Sequence, residues 1–201
     1  MAPQTSTRKL TLADIADVRA YERERDEFRA HVIALKKKRR VRVGPFVTVV
    51  FECRDTIRFQ IQEMARAERM ATDAAIQTEL DVYNPLLPSP GRLSATLFLE
   101  LTSDEMLREW LPRLVGIERS LELHIGDLVV ACTPEVGHES QLTRETTTAA
   151  VHYIEFTLTP EQVEALGQDG ASVRLVAAHS EYRHETTLSS DTVDELRADV
   201  S

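Results

Sequence analysis

Charged side chains fall on the apolar faces of three consecutive predicted helices. Arg25 lies within the apolar stripe of the first helix, while Glu68 and Glu79 lie near the centres of the stripes on the next two. Because an unpaired charge is costly to bury, each of these side chains needs a partner. Three interpretations stay open: an ion pair of Arg25 with Glu68 or Glu79, a metal site formed by the Glu68 and Glu79 carboxylates, and exposed charges on helices whose phase differs from the assumed one.

The metal interpretation lacks one feature of known carboxylate sites. Di-iron sites in helical bundles combine inward carboxylates with Glu-x-x-His pairs on facing helices. The three predicted helices contain no such pair. Arginine presents a planar fork that binds a carboxylate through two hydrogen bonds. The residue types therefore favour the ion pair, and a bound metal is the one cofactor considered.

A second polar group surrounds the point where a predicted strand ends and a helix begins. It comprises Glu52, Arg54, Arg58, Gln60, Gln62 and Glu63. A helix N-terminus with arginines nearby is favourable for an anion. We therefore predict a binding region from residue 52 to residue 84, including Tyr83, for a small anionic ligand or a protein partner. The alternative is a salt-bridged surface, because the chain has no glycine-rich phosphate loop.

Three residues of the second half offer ligands for zinc. Cys132 and His152 lie on predicted strands, and His138 lies in the long polar loop between them. Zinc accepts such ligands, and the three side chains would converge if the loop folded over the sheet. Their spacing matches no known zinc motif. A strand histidine is more often packed or exposed, and that interpretation is favoured.

The charge distribution argues against nucleic-acid and membrane partners. The formal net charge is −9 at pH 7, and no apolar stretch is long enough to span a bilayer. A basic run at residues 36–40 lies at the end of a predicted helix, where the helix dipole favours positive charge. Docking to an acidic protein is the alternative for this run. Because no apolar signal core is present near the N-terminus, we expect a cytoplasmic protein.

The order of predicted elements indicates an α+β fold. Helices are predicted at about 18–38, 55–70, 73–83, 103–114 and 191–200, with a short helix that begins at about 160, and strands at about 40–53, 93–101, 121–125, 128–133, 149–158, 172–178 and 185–188. The expected arrangement is a leader at residues 1–10 that is disordered, followed by a single domain at residues 11–201. In that domain a helical first half packs on a mainly antiparallel sheet. The polar segment 134–147 is predicted to be a mobile loop beside the site or a partner surface.

Several segments together resemble a bacterial family. They are Tyr21-Glu22-Arg23 with Phe28-Arg29, Ala34-Leu35-Lys36-Lys37, Arg40-Val41 before Gly44-Pro45, the run from Phe51-Glu52 to Met64, Glu79-Leu80 with Tyr83-Asn84-Pro85, and Leu114-Val115-Gly116-Ile117-Glu118. This pattern spans nearly the whole chain and resembles the family catalogued as domain of unknown function 3501. That family has no established activity to carry over to a residue. Its members are often encoded near rubrerythrin-like and iron–sulfur redox proteins, which implies a redox or metal-related setting.

Three functions stay open from the sequence. The leading one is a cytoplasmic binding or accessory protein that engages its ligand or partner between residues 52 and 84. The second is a metal-dependent, redox-linked enzyme that uses Glu68 and Glu79. The third is a structural subunit of a larger redox assembly. The chain has no nucleophile elbow, Walker loop or dinucleotide fingerprint, so its residues assign no enzyme class.

Overall fold

One antiparallel sheet of eight strands is the central feature of the computed structural model, which describes residues 9–135, 137 and 146–201. The strands are Arg40–Val43 (β1), Val47–Phe51 (β2), Arg92–Leu99 (β3), Leu121–Ile125 (β4), Leu128–Pro134 (β5), Val151–Thr157 (β6), Val173–His179 (β7) and Tyr182–Thr187 (β8). The α-helices are Val18–Arg39 (α1), Arg54–Ala67 (α2), Asp73–Tyr83 (α3), Asp104–Arg113 (α4), Pro160–Gly167 (α5) and Ser190–Val200 (α6). Short 3-10 helices lie at Leu12–Asp14, Asn84–Leu86 and Ile117–Arg119.

The strands lie in the order β1-β2-β3-β6-β5-β4-β7-β8. The two edge strands, β1 and β8, also contact each other. Tyr182 at the start of β8 donates its hydroxyl to the carbonyl of Val43 in β1 at 2.7 Å. Thr186 donates to the carbonyl of Arg42 at 2.7 Å. Because side chains bridge the two edges, the sheet curves around its core and nearly closes on itself.

The main apolar core lies on the concave side of this curved sheet. Leu93, Ala95 and Leu97 of β3 alternate with residues that face the other way, as a pleated strand requires. Helix α6 adds Val193 and Leu196 to the same core. The convex side is thereby left to the helices of the first half.

A second apolar cluster joins those helices to the outer face of the sheet. Helix α2 buries Ile57 and Ile61 on one face, at the four-residue spacing of an amphipathic helix. They pack with Leu80 of α3 and Leu86, and Tyr153 of β6 packs against the cluster. The helical layer is therefore attached to the sheet at β6, and the candidate site lies beside this attachment.

The predicted α+β fold is confirmed: the helices of the first half pack on an antiparallel sheet in a single domain. Leu10, which the sequence assigned to the leader, is buried in the second cluster. Residues 1–8 and most of the predicted loop at 134–147 lie outside the described residues. In the described part of the chain, every helix is too short or too polar to cross a membrane.

Candidate functional site

A buried carboxylate, Glu52, lies at the junction between β2 and α2. The chain leaves β2 at Phe51, and the N–H of Glu52 still donates to the carbonyl of Ser94 in β3 at 2.8 Å. This bond holds the residue against the sheet before α2 begins at Arg54. Glu52 is only 7% exposed. The sheet therefore fixes an acidic residue in the interior of the protein.

Two threonine hydroxyls bind the Glu52 carboxylate. Thr56 of α2 donates to Oε2 at 2.5 Å, and Thr96 of β3 donates to Oε1 at 2.6 Å. Such short distances are typical of hydroxyls that donate to a carboxylate anion. Among the described residues, no lysine, arginine or histidine forms an ion pair with this carboxylate. Because an ionised carboxylate can accept about four hydrogen bonds, the two hydroxyls leave it with acceptor capacity.

The Glu52 carboxylate borders a pocket of about 240 Å³ between the helical layer and the sheet. Cross-strand pairs of β3 and β6 form one wall, since Thr96 lies opposite Tyr153 and Phe98 lies opposite Val151. The full lining is Lys36, Glu52, Thr56, Ile57, Gln60, Tyr83, Leu86, Thr96, Phe98, Val151 and Tyr153. Two of the predicted site residues, Glu52 and Tyr83, thus meet in one pocket.

Two tyrosines add hydroxyl groups to this pocket. Tyr83 at the end of α3 and Tyr153 on β6 both line it, and Tyr83 is near enough to Tyr153 to act on its pKa. Burial, the neighbouring Tyr83 and the negative charge of Glu52 raise the pKa of Tyr153 to about 12. The Tyr153 hydroxyl therefore stays protonated at neutral pH. The pocket offers a carboxylate, two phenols and the ammonium group of Lys36 within one small volume.

Arg54 and Arg58, which the sequence predicted to bind an anion, hold the N-terminal segment of the chain. Arg54 pairs with Asp14 at 2.5 Å. Arg58 donates to the backbone carbonyl of Asp14 at 2.9 Å and pairs with Glu24 at 2.8 Å. The Arg58 guanidinium also lies over the ring of Phe28. Both positive charges are thus compensated within the chain. This arrangement corresponds to the salt-bridged surface that the sequence offered as the alternative to an anion site.

Gln62 and Glu63 attach α2 to its neighbours. The buried amide of Gln62 accepts from the N–H of Ala16 at 2.7 Å and donates to the Ala16 carbonyl at 3.1 Å. Glu63 binds Arg25 at 2.9 Å and accepts from the Tyr21 hydroxyl at 2.8 Å. The hydrogen bond from Arg25 lowers the pKa of Glu63, and the bond from Tyr21 acts in the same direction. These residues therefore fix the packing of α1 and of the N-terminal segment on α2.

The predicted pairing of Arg25 with Glu68 or Glu79 is wrong, because Arg25 binds Glu63. The predicted burial of Glu68 is also wrong. Helix α2 ends at Ala67, so Glu68 follows it as an exposed C-terminal cap residue and not as part of an inward stripe.

The position of Glu79 on an apolar face of α3 predicted a mostly buried side chain. In the structure Glu79 is half-buried. Burial and, to a smaller extent, the negative charge of Glu68 raise the pKa of Glu79. The two carboxylates are thus near enough to interact electrostatically. A metal bound by Glu68 and Glu79 stays a prediction.

The two predicted zinc ligands that the structure describes, Cys132 and His152, occupy packed positions. The Cys132 thiol donates to the carbonyl of Glu118 at 3.2 Å, and His152 Nε2 lies 2.8 Å from the Thr148 hydroxyl. Across residues 9–135, 137 and 146–201, no group of three or more His, Cys, Asp or Glu side chains is arranged to hold a metal. His138 lies outside the described residues.

The most deeply buried ion pair, between Arg39 and Asp199, was missed in the sequence. The Arg39 side chain is 1% exposed and donates to both Asp199 oxygens, at 2.6 and 3.1 Å. It also binds Glu195 at 2.9 Å. Burial opposes the charge of Arg39, but the bond to Asp199 raises its pKa. One feature of the sequence pointed to this site: Glu195 and Asp199 are four residues apart and therefore share a face of α6.

A larger cleft of about 330 Å³ lies beside the N-terminal segment. Asp17 in its wall accepts from the first amides of α1, and Thr72 accepts from the amide of Ala75 in α3. These polar groups are therefore engaged in capping helices, and most of the other lining residues are apolar. The pocket at Glu52 combines a carboxylate, an ammonium group and hydroxyls, and for this reason it is the candidate site.

Comparisons with known proteins identify a family and a homologous structure. Both are described as of unknown function. A family model described as "Protein of unknown function (DUF3501)" matches residues 9–200. A crystal structure of a novel protein of unknown function from Burkholderia pseudomallei K96243 is 33% identical and has a TM-score of 0.88. The match covers 96% of this chain and 100% of that one. None of the curated proteins matches the chain.

Proposed function

We propose that this chain, which belongs to the DUF3501 family, is a cytoplasmic binding protein that holds a small polar molecule in the pocket beside Glu52. One observation carries the proposal: a buried carboxylate borders a cavity and has hydroxyl partners but no cationic partner among the described residues. Burying such a charge costs stability. A ligand that binds it would compensate that cost in the bound state.

The dimensions of the pocket support a small ligand. Its volume of about 240 Å³ lies slightly below the ~300–1,000 Å³ of pockets for drug-sized molecules. Ile57, Leu86 and Phe98 provide apolar walls, while the polar groups are confined to a few positions. This combination is typical of sites that fix the orientation of a small organic molecule.

The cytoplasmic location is part of the proposal. Cys53 and Cys132 are both buried and unpaired, which is in keeping with a reducing compartment.

A blocked pocket tests the proposal. Val151→Phe places a larger side chain in the pocket without removing any polar group of its lining. Val129→Phe is the matched control, because Val129 is also a strand valine and is 47% exposed. A ligand-observed NMR screen of polar metabolites is expected to find compounds that bind the wild type and Val129→Phe but not Val151→Phe. Compounds that bind all three proteins equally would refute the pocket as the site.

Association with redox or iron–sulfur proteins is a second proposal, and it rests on the family resemblance alone. In this version the chain is an accessory or structural subunit that binds a protein partner. Affinity purification of the tagged chain from its own host, followed by mass spectrometry, tests it. Enrichment of redox proteins over a tag-only control is expected, and recovery of no such partner would contradict it.

The metal-dependent enzyme is the third proposal. It is supported by the electrostatic interaction between Glu68 and Glu79. Metal analysis of protein purified without added metal is expected to find about one equivalent if the proposal holds. The metal should be lost in the double variant Glu68→Gln/Glu79→Gln. Metal-free protein whose melting temperature is unaffected by a chelator would contradict the proposal.

A further inference from the structure

The charges of the pocket lining allow the ligand to be assigned more closely. We propose that the pocket binds a small zwitterion in which Glu52 receives a primary ammonium group and Lys36 receives a carboxylate. This inference rests on the proposed function, because it names the ligand class of the same pocket. An ω-amino acid is the simplest molecule with this chemistry.

The ammonium end is argued from the partners of Glu52. Both carboxylate oxygens already accept a hydroxyl, from Thr96 at 2.6 Å and from Thr56 at 2.5 Å. The two threonines thus fix the carboxylate plane, and its remaining acceptor positions are available to a donor in the pocket. An anion at this position would be repelled by the fixed negative charge. A cation would gain a charge-assisted hydrogen bond to a carboxylate that is largely buried.

The two tyrosines favour the same end of the ligand. Tyr153 lies opposite Thr96 across the β3–β6 pair, next to the Glu52 carboxylate. Tyr83 is part of the same lining, so two tyrosines border the pocket. Aromatic faces attract ammonium groups. The carboxylate and the two tyrosines therefore favour a cationic group at this end of the ligand.

The carboxylate end is argued from Lys36. Helix α1 contributes this residue to the same pocket, and it is half-buried there, whereas the next residue, Lys37, is exposed. Lys36 and Glu52 lie on the lining of one cavity without forming an ion pair with each other. A ligand with an ammonium group and a carboxylate could pair with both Glu52 and Lys36, which lie in one small cavity without pairing with each other.

Isothermal titration calorimetry with the full chain and defined probes tests the assignment. The zwitterionic probes are β-alanine, γ-aminobutyrate and δ-aminovalerate, which differ in the distance between their charges. Butylamine and butyrate carry one of the two charges each. At least one zwitterion is expected to bind about tenfold or more tightly than either single-charge probe, since two charge-assisted hydrogen bonds replace one.

Three variants separate the two ends of the ligand. Glu52→Gln is expected to abolish binding of butylamine and to weaken the zwitterion at least tenfold. Lys36→Met is expected to reduce the zwitterion to the affinity of butylamine and to leave butylamine unchanged. Lys37→Met should behave as the wild type. If Lys36 instead neutralised Glu52, Lys36→Met would bind butylamine more tightly, and that result would overturn the assignment.

The remaining outcomes distinguish this inference from the proposed function. Tighter binding of butyrate than of butylamine, or a zwitterion affinity that Glu52→Gln does not change, overturns the zwitterion and leaves pocket binding standing. Binding by none of the five probes also overturns the zwitterion. The metabolite screen with Val151→Phe then decides separately whether the pocket binds anything.

Discussion

Two buried carboxylates in this protein have opposite surroundings. Asp199 on α6 receives the guanidinium of Arg39 at 2.6 and 3.1 Å, and the pair is closed off from solvent. Glu52 is nearly as buried, yet its partners are two neutral hydroxyls and it borders a cavity. A buried charge with a built-in counter-ion is explained by the fold alone. A buried charge without one needs a further explanation, and the proposed ligand would provide it.

The position of each carboxylate in the fold strengthens this contrast. Arg39 is the last residue of α1, and Asp199 lies near the end of α6, so the ion pair joins elements from the two ends of the sequence. Arg39 Nη1 also lies 3.4 Å from the backbone carbonyl of Glu52. The ion pair thus helps to hold the junction that carries Glu52, while the Glu52 side chain is directed to different partners.

Loss of Arg39 should produce the largest effect on stability. Arg39→Met leaves Asp199 buried without its cation, which costs about 3–5 kcal/mol of unfolding free energy. Urea denaturation monitored by circular dichroism measures this cost. Arg40→Met is the matched control, because Arg40 pairs with Glu100 at an exposed site, and such pairs are worth ~0–1 kcal/mol. Equal effects of the two substitutions would show that the buried ion pair stabilises the fold no more than the exposed one.

Neutralising each of the two carboxylates should change the stability of the protein differently. Asp199→Asn should cost about 2–3 kcal/mol, less than the loss of Arg39, because Glu195 still pairs with the arginine. Glu52→Gln should be nearly neutral, or stabilise the protein by up to about 1 kcal/mol, because an uncompensated charge leaves the interior. The same denaturation experiment compares both variants. A larger cost for Glu52→Gln than for Asp199→Asn would assign Glu52 a structural role and weaken the binding proposal.

The hydroxyl partners of Glu52 should depend on its charge. Thr96→Val removes one donor to the carboxylate and should cost about 1.5 kcal/mol, the lower range for a hydrogen bond to a charged group. In the Glu52→Gln background the same substitution should cost less, since the acceptor is neutral. A double-mutant cycle of the two substitutions measures this coupling. Additive effects would contradict a charge-assisted bond.

Much of the fold could be predicted from the sequence because its signals are local. Alternating apolar residues, the Gly126-Asp127 turn and the Ser103 cap of α4 identify strands and helices without tertiary information. The error at Glu68 has a local cause as well. The helix ends three residues before the predicted end, and the helical phase was extended over residues that are not helical.

The candidate site could be predicted only in part, because it depends on contacts between distant residues. Glu52 and Tyr83 could be named, since one follows a strand and the other ends a helix two residues before a proline. Thr96, Tyr153 and Lys36 could not, because their meeting depends on the register of β3 and β6 and on the packing of α1. The pairing of Arg39 with Asp199 could not be predicted for the same reason, because the two residues are 160 positions apart.

A third carboxylate, Glu63, gives a comparison at the protein surface and the smallest predicted effect. Arg25 and Tyr21 lower its pKa relative to that of the unfolded chain. A depressed carboxyl pKa stabilises the folded state above the unfolded pKa of about 4.3, and this contribution is lost as the pH falls through the folded pKa. The wild type should therefore be more stable than Glu63→Gln at pH 6, and the difference should shrink below about pH 4.3. Urea denaturation at a series of pH values measures it, with exposed Glu68→Gln at the end of the same helix as the control. A difference that persists unchanged to pH 3 would show that Glu63 contributes through packing and not through its charge.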